Sequence, residues 1–242
     1  NIGSSSRVNN TGDNISAFSW KAGGPTYVTN NDGSTTSYVS ANTTAGFSII
    51  KYTGNGTAGA TVGHGLNSAP ELIVCKLCDG NGFNWPVWHR DIGTGKYLEW
   101  NTNEAYQNQS SYNMFNSTAP TDSVITLGSI ANTNNNTNAF RIWAWHSVEG
   151  YSRIGSYTGN GVHDEGPYIT VGFRPVWLMV KKYTSGNEDW AIIDAARNPN
   201  TAHSQTIVWG NLHDSEQNNG INRTRFTSTG FKIYSTSGDP RW

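Results

Sequence analysis

What this chain has little of decides much of what it can be. Only 14% of its 242 residues are charged, against about 25% in average domains. The net charge is −1. With no basic surplus to neutralise phosphates, nucleic acid is not expected as a partner. No apolar run approaches the ~20 residues a membrane-spanning helix needs, so membrane insertion is not expected either. Cysteine occurs only at Cys75 and Cys78, which argues against an obligatory disulfide-built scaffold. On a strand, positions i and i+3 point to opposite faces, so the two thiols do not pair while the strand stays regular. Leu, Lys and Glu are scarce, which opposes long helices.

The chemistry-bearing signals are equally thin. Cys75 and Cys78 could be half a zinc site completed by His64 or His89, but a second such pair is missing. His64, His89, His146, His163, His203 and His213 show no metal-ligand spacing. The polar stretches Asn31-Asp32-Gly33, His163-Asp164-Glu165 and His213-Asp214-Ser215-Glu216 do not fit an EF-hand loop. Carboxylates for glycoside hydrolysis exist at Asp91, Glu99, Glu104, Glu188, Asp189 and Asp194, yet no pair recurs along the chain. No Gly-x-Ser-x-Gly elbow occurs. We therefore expect no catalytic residues, no metal and no cofactor, and no ligand-binding residue is assigned.

What is present is aromatic and glycine-rich: 10 Trp, 11 Tyr, 8 Phe and 27 Gly. Such a mix opposes disorder and favours short strands with large inward rings. Tyr-Thr-Gly-Asn-Gly occurs at Tyr52–Gly56 and again at Tyr157–Gly161, an offset of 105 residues. At that offset Pro70 meets Pro175, Lys76 meets Lys181 and Trp85 meets Trp190. A match sustained over that distance signals one structural unit present twice, each about the ~100 residues of a small β-sandwich. The motif reads as a turn, with Asn-Gly supplying left-handed backbone. It is not a phosphate loop, because no Lys-Ser/Thr follows.

The expected fold class is all-β: tandem antiparallel β-sandwich domains of jelly-roll or immunoglobulin size, related by an internal repeat of about 105 residues. Residues 1–23 resemble the closing strands of a preceding unit. Ile2-Gly3-Ser4 resembles Leu127-Gly128-Ser129, and Ala17-Phe18-Ser19-Trp20 resembles Ile142-Trp143-Ala144-Trp145, both at offset 125. Residues 24–44 read as a connecting hairpin turning at Asp32-Gly33. Residues 45–149 form repeat 1. Residues 150–242 form repeat 2, which lacks its final strand after the Ser235–Trp242 loop. Trp209 aligns with Trp100 at offset 109, and Phe231 with Val124 at offset 107. The short linker Ser147–Gly150 predicts stiff stacking into a rod. An open last sheet also predicts that residues 1–23 of one copy could complete its neighbour, head to tail, as a filament.

Exposed rings on such units could stack on sugars. Trp88, Trp100, Trp209 and Tyr106 are candidates in that sense, with burial the default.

The segments Ser19–Gly24, Gly46–Leu66, Val148–Ser152 and Gly155–Gly161 resemble a repeat domain of large virion proteins from marine and freshwater tailed phages, including cyanophages. The similarity covers nearly the whole chain, and the stretch at 46–66 is long enough to be specific. Cys75-Lys76-Leu77-Cys78 and the missing last strand depart from that pattern. The resemblance implies a non-enzymatic tail-fibre or tail-associated segment, located in the virion or extracellularly, that presents or forms a host-attachment surface. Its implied partners are other virion subunits or further copies of itself. The alternatives are a carbohydrate-binding module recognising host surface glycans and an extracellular filament subunit assembled by strand donation. A polysaccharide depolymerase fragment is a further possibility.

Overall fold

The computed structural model describes residues 11–12, 15, 17–80, 82–162, 164–197, 206–216 and 224–234. Expectations resting on Ile2–Ser4, His163, Asn198-Pro199, His203 and Ser235–Trp242 lie outside the described residues.

The fold is all-β, with every strand pair antiparallel. Ten strands belong to the first lobe: β1 (Val28–Asn30), β2 (Ser37–Asn42), β3 (Phe47–Thr53), β4 (Thr61–Gly63), β5 (Leu72–Leu77), β6 (Pro86–His89), β7 (Lys96–Glu99), β8 (Gln107–Asn108), β9 (Val124–Thr126) and β10 (Ala139–Trp145). Its helical content is a 3₁₀ turn at Arg90–Ile92 and one turn of helix, α1 (Ala131–Asn134). Eight strands form one sheet in the order β1-β2-β3-β10-β5-β6-β7-β8, and β4 pairs with β9 in a second sheet. The last strand in sequence, β10, thus lies at the middle, opposite β3 on one side and β5 on the other. The hairpin β1–β2 pairs with β3 and extends this sheet rather than standing apart as a connector.

Alternation sorts the residues of this sheet onto two faces. One face, with Ile50, Tyr52, Ile73, Cys75, Phe140 and Ile142, packs against Val62, Ile125 and Leu127 of the β4–β9 region. All of these are nearly or wholly shut off from solvent. The other face carries Leu72, Val74, Val87, Leu98, Trp143 and Trp145. It is as apolar as the first and must be covered.

The second lobe covers it. It contains β11 (Tyr168–Thr170), β12 (Trp177–Val180), β13 (Ala191–Asp194), β14 (Val208–Trp209), β15 (Thr224–Phe226) and β16 (Gly230–Ile233). Two three-stranded sheets, β11-β16-β15 and β12-β13-β14, enclose a core of Ala191, Ile193, Ile207, Trp209, Phe226, Phe231 and Ile233. From the outer face of the β12–β13 hairpin, Met179 and Trp190 join the apolar cluster of the first sheet. Trp100 and Trp190 stack at 5.2 Å between centroids, 12° from parallel. The Trp190 indole donates to Glu99 O, and the Trp100 indole donates to Gly210 O. The lobes are therefore joined face to face along an aromatic seam. The stiff end-to-end rod expected from the short linker is not the arrangement, because the eight-stranded sheet and the β12–β13 hairpin each carry a second apolar face that needs a partner.

Ladder geometry recurs along the chain. Leu72 lies opposite His89, and Trp177 lies opposite Asp194. Both members of the second pair sit 105 residues beyond those of the first. Polar details recur with them. The Trp85 N–H donates to Asn101 Oδ1, whose amide donates to Asn84 Oδ1, each at 2.8 Å. The Trp190 N–H donates to Asn211 Oδ1 at 2.8 Å, and the Asn211 amide donates to Asp189 Oδ1 at 2.7 Å. Lys76 Nζ caps Phe83 O, and Lys181 Nζ caps Glu188 O. Asn55 and Asn160 each accept from the amide two residues on, beside Gly56 and Gly161 at φ 71° and 69°.

Two alignments shift by a residue. In the ladders, Pro86 faces Glu99 while Ala191 faces Trp209, so Trp209 holds the place of Glu99 and not of Trp100. The inward side chains Ile125 and Leu127 correspond to Phe231 and Ile233, an offset of 106 rather than 107. A one-residue slip would turn each side chain to the opposite face. At the start of the second lobe, Tyr151–Tyr157 forms no strand, and its Ser152 makes an isolated bridge to Val148. The turn glycine Gly33 does not use positive φ. A Cβ there would sit 2.4 Å from Thr61 O, so the residue serves close approach of two backbones.

Candidate functional site

The aromatic rings singled out for sugar stacking are engaged internally. Trp88 and Trp209 are 4% and 3% exposed. Trp100 is stacked on Trp190, and Tyr106 lies against Tyr183. Trp88 and Trp209 are closed to solvent, while Trp100 and Tyr106 are half-buried, each against a neighbouring ring.

The candidate zinc ligands do not converge. Cys75 is buried, with its thiol 3.4 Å from the Tyr52 hydroxyl, while Cys78 is exposed. Burial pushes the Cys75 thiol up to about 12, which opposes thiolate chemistry. His64 is spent on the backbone: its Nδ1 accepts from the Leu66 N–H, and its Nε2 lies 3.2 Å from Thr121 O. That pair of contacts fixes the Nε2–H tautomer. His89 Nδ1 accepts from the Asp91 N–H and so caps the 3₁₀ turn. Among the described residues no group of three or more His, Cys, Asp or Glu could hold a metal ion.

The carboxylates are likewise committed. Asp91 pairs with Arg90, Asp194 with Arg197 and Glu188 with Lys182. Asp189 accepts from Asn211, and Glu99 accepts from Asn84 at 2.7 Å. Desolvation raises the Glu99 carboxyl above its ordinary value. Glu104, Glu188 and Asp189 all lie near the Lys181 ammonium at the seam. Desolvation lowers that ammonium to about 8.

The most distinctive surface lies on the solvent face of the β11-β16-β15 sheet. In the ladder, Tyr168 faces Lys232 and Lys232 faces Arg225. The inner residues Ile169, Phe231 and Phe226 point to the core, so alternation turns Tyr168, Lys232 and Arg225 outward together. Arg174, from the loop after β11, joins them. With Phe226, Thr227, Ser228 and Tyr234 they line a cavity of about 400 Å³. Among the described residues its walls hold three cations, two phenols, two hydroxyls and no carboxylate. Among the described residues no acidic group pairs with Arg174, Arg225 or Lys232.

Local structure fixes the aromatic part of this site. The β15–β16 turn is closed by the Thr227 N–H and hydroxyl, both donating to Gly230 O. That turn holds Thr227 and Thr229 within 2.8 and 2.7 Å of the Tyr168 hydroxyl. Those two contacts, Thr227 first, keep the Tyr168 phenol below its ordinary pKa. The Lys232 ammonium sits 4.9 Å from the Tyr234 ring centroid, a cation–π distance.

Like charges directly opposite on neighbouring strands are destabilising. An arrangement that holds Arg225 against Lys232 without a carboxylate is suited to an anion. Phenol rings beside it suit a flat or ring-shaped body, and the hydroxyls offer both donors and acceptors. Sequence reasoning missed this site because its members lie at 168, 174, 225 and 232, in no motif. The alternation in Thr224-Arg225-Phe226 and Phe231-Lys232-Ile233 was the available signal. The corresponding positions of the first lobe, Thr61 and Thr126 opposite each other on β4 and β9, are uncharged.

No curated protein and no solved structure matches the chain. Residues 1–240 match a family described as a domain of unknown function (DUF7483), and the chain belongs to that family.

Proposed function

We propose that this chain is a non-enzymatic attachment module of a virion fibre. In this reading one β-sandwich unit is present twice. The face-to-face lobes form a stiff support, and the second lobe carries the recognition surface. The ligand class is an acidic polysaccharide of a cell surface. The observation that carries the reading is the row Tyr168–Lys232–Arg225 with Arg174 lining the same cavity, cationic and, among the described residues, without a carboxylate. A carboxylate or sulfate on a sugar ring would take charge-assisted hydrogen bonds from the arginines. The sugar face would rest on Tyr168 or Tyr234. The sequence resemblance to tail-fibre repeat domains supports the setting, and the duplicated polar details at offset 105 support the architecture.

Calorimetric titration of the intact chain with a polyuronate and with a neutral glucan tests this. The polyuronate is expected to bind, with an affinity that falls as salt rises. Arg225→Ala and Lys232→Ala should each weaken it by about tenfold or more, since a hydrogen bond to a charged group contributes about 1.5–3 kcal/mol. Equal binding of the neutral glucan, or undiminished binding by the double variant, would overturn the proposal.

A further inference from the structure

We propose that Ala17–Trp20 is the closing strand of the second lobe, laid antiparallel along the free edge of β12, where β10 lies beside β5 in the first. This inference stands on different residues from the cationic face and is independent of it.

The first observation is an unequal edge. β5 is paired on both sides, by β10 and by β6. β12 matches β5 in register but, among the described residues, pairs with β13 alone. All four of its residues are partly exposed. Its outward N–H and C=O groups are a template for another strand. The indole N–H of Trp177 is also buried without an acceptor, although such groups are nearly always satisfied.

The second observation is the contact already made. Phe18 and Trp20 correspond to Trp143 and Trp145 of β10 at offset 125. In the first lobe Trp145 stands opposite Leu72, and Trp177 is the residue in Leu72's register. The ring of Trp20 lies 5.4 Å from Trp177 at 85°, an edge-to-face contact. Phe18 is 6.1 Å from the same ring. Trp20 also touches its own counterpart Trp145, at 6.3 Å. So the ring that would be paired with Trp177 by analogy is the ring found against it.

The third observation is an anchor. Lys21 O accepts from the Asn42 side chain, and the Gly24 amide donates to Ser40 Oγ, both on β2. These contacts hold the segment's end beside the seam, within reach of β12. The expected register is Trp20 opposite Trp177, Ser19 opposite Leu178, Phe18 opposite Met179 and Ala17 opposite Val180. Trp20 and Phe18 are 43% and 38% exposed, leaving apolar area for full pairing to cover.

Hydrogen exchange on the full-length chain tests the proposal. The amides of Leu178–Val180 should be protected on both edges of β12. Phe18→Ala with Trp20→Ala should speed exchange of the outward amides by about tenfold or more while Ile73–Cys75 keep their rates, because local opening is read segment by segment. By analogy with Trp145 on β10 the backbone N–H of Trp20 is aimed at β12, so Trp20→Pro, which lacks both ring and donor, should lose more protection than Trp20→Ala, which lacks the ring alone. Unprotected outward amides in the parent chain would overturn the idea. So would a Trp20→Pro variant whose exchange equals that of Trp20→Ala, since the ring alone would then account for the contact. Protection that grows with protein concentration alongside a dimer in sedimentation would also overturn it, by assigning the strand to a second copy.

Discussion

The two lobes share a ladder but differ in what surrounds it. In the first, β10 enters the sheet between β3 and β5 and joins eight strands into one surface. In the second, the same register on β12–β13 is bounded after three strands. The counterpart of β3, Tyr151–Tyr157, is not extended into a sheet at all. A strand is held by its neighbours' N–H and C=O groups, not by its own sequence alone. In the first lobe one strand, β10, thus joins the two halves of the eight-stranded sheet.

The seam should show the largest effect. Trp190 is 4% exposed, stacks on Trp100 and donates across the lobes to Glu99 O. Trp190→Ala should cost about 3–5 kcal/mol, the range for buried large aromatics. Its counterpart Trp85, partly buried and stacked on Trp143 at 5.8 Å, should cost less on the same change. Urea unfolding followed by separate probes would show a single transition in the parent. The Trp190 variant should split it, the second lobe melting first. Equal losses from both tryptophans would remove the seam as the joining element.

Next come the ladders. Ile142 is fully buried on β10, opposite Ile50 on one side and Cys75 on the other. Ile142→Ala should cost about 2–5 kcal/mol. Leu178→Ala on half-buried β12 should cost clearly less. Comparable values from equilibrium unfolding would mean that β12 is as enclosed as β10. Smaller again are the repeated asparagines. Asn101→Ala and Asn211→Ala each strand a backbone N–H, that of Trp85 and of Trp190 respectively. About 1–3 kcal/mol is expected for Asn211, whose bond is partly buried, and about 0.5–1 kcal/mol for Asn101, whose bond is exposed and open to replacement by water.

Acid should act on the first lobe through His64. Burial holds its imidazole below the ordinary value, with the Thr121 carbonyl only partly opposing. The unfolded chain therefore takes up the proton first as pH falls. Stability is full above about pH 6.5 and declines below it. His89, also lowered by burial, acts in the same direction. Melting temperatures between pH 7 and pH 5 should fall in the parent. His64→Gln should fall less steeply, and an identical slope would place the sensitivity elsewhere.

Much of this architecture was legible in the residues. The all-β class was legible because apolar runs alternate with turns that carry Gly or Asn, whereas the short strands β4 and β8 were not. Trp143 and Trp145 were placed together, opposite Ile142 and Ala144, by period two alone. The doubled Tyr-Thr-Gly-Asn-Gly marked turns with left-handed Gly56 and Gly161, as read. The seam was not legible. Trp100 and Trp190 meet across 90 residues, and nothing local says that Leu72 and Val74 face a second lobe rather than water. Nor was the cationic face, whose members are joined only by strand pairing. The one-residue shifts at Trp209 and Phe231 arose because loop insertions move freely while inward faces cannot.

The smallest expected effect is the one that best separates the lobes. Arg225 and Lys232 face each other across β15 and β16, whereas in the first lobe Thr61 and Thr126 stand where Tyr168 and Lys232 do and the β4–β9 sheet has no third strand. If the cationic row is held ready for an anion, it is a modest burden on the free protein. Arg225→Thr should then leave the chain as stable or more stable, by about 0.2–1 kcal/mol, the scale of cross-strand charge pairs. The gain should shrink in high salt, because exposed charges are screened beyond a Debye length of about 8–10 Å. Addition of a polyuronate should reverse the order, raising the melting temperature of the parent but not of the variant. A variant that is less stable at every salt concentration would show that Arg225 supports the sheet itself, and the difference between the lobes would then be one of packing alone.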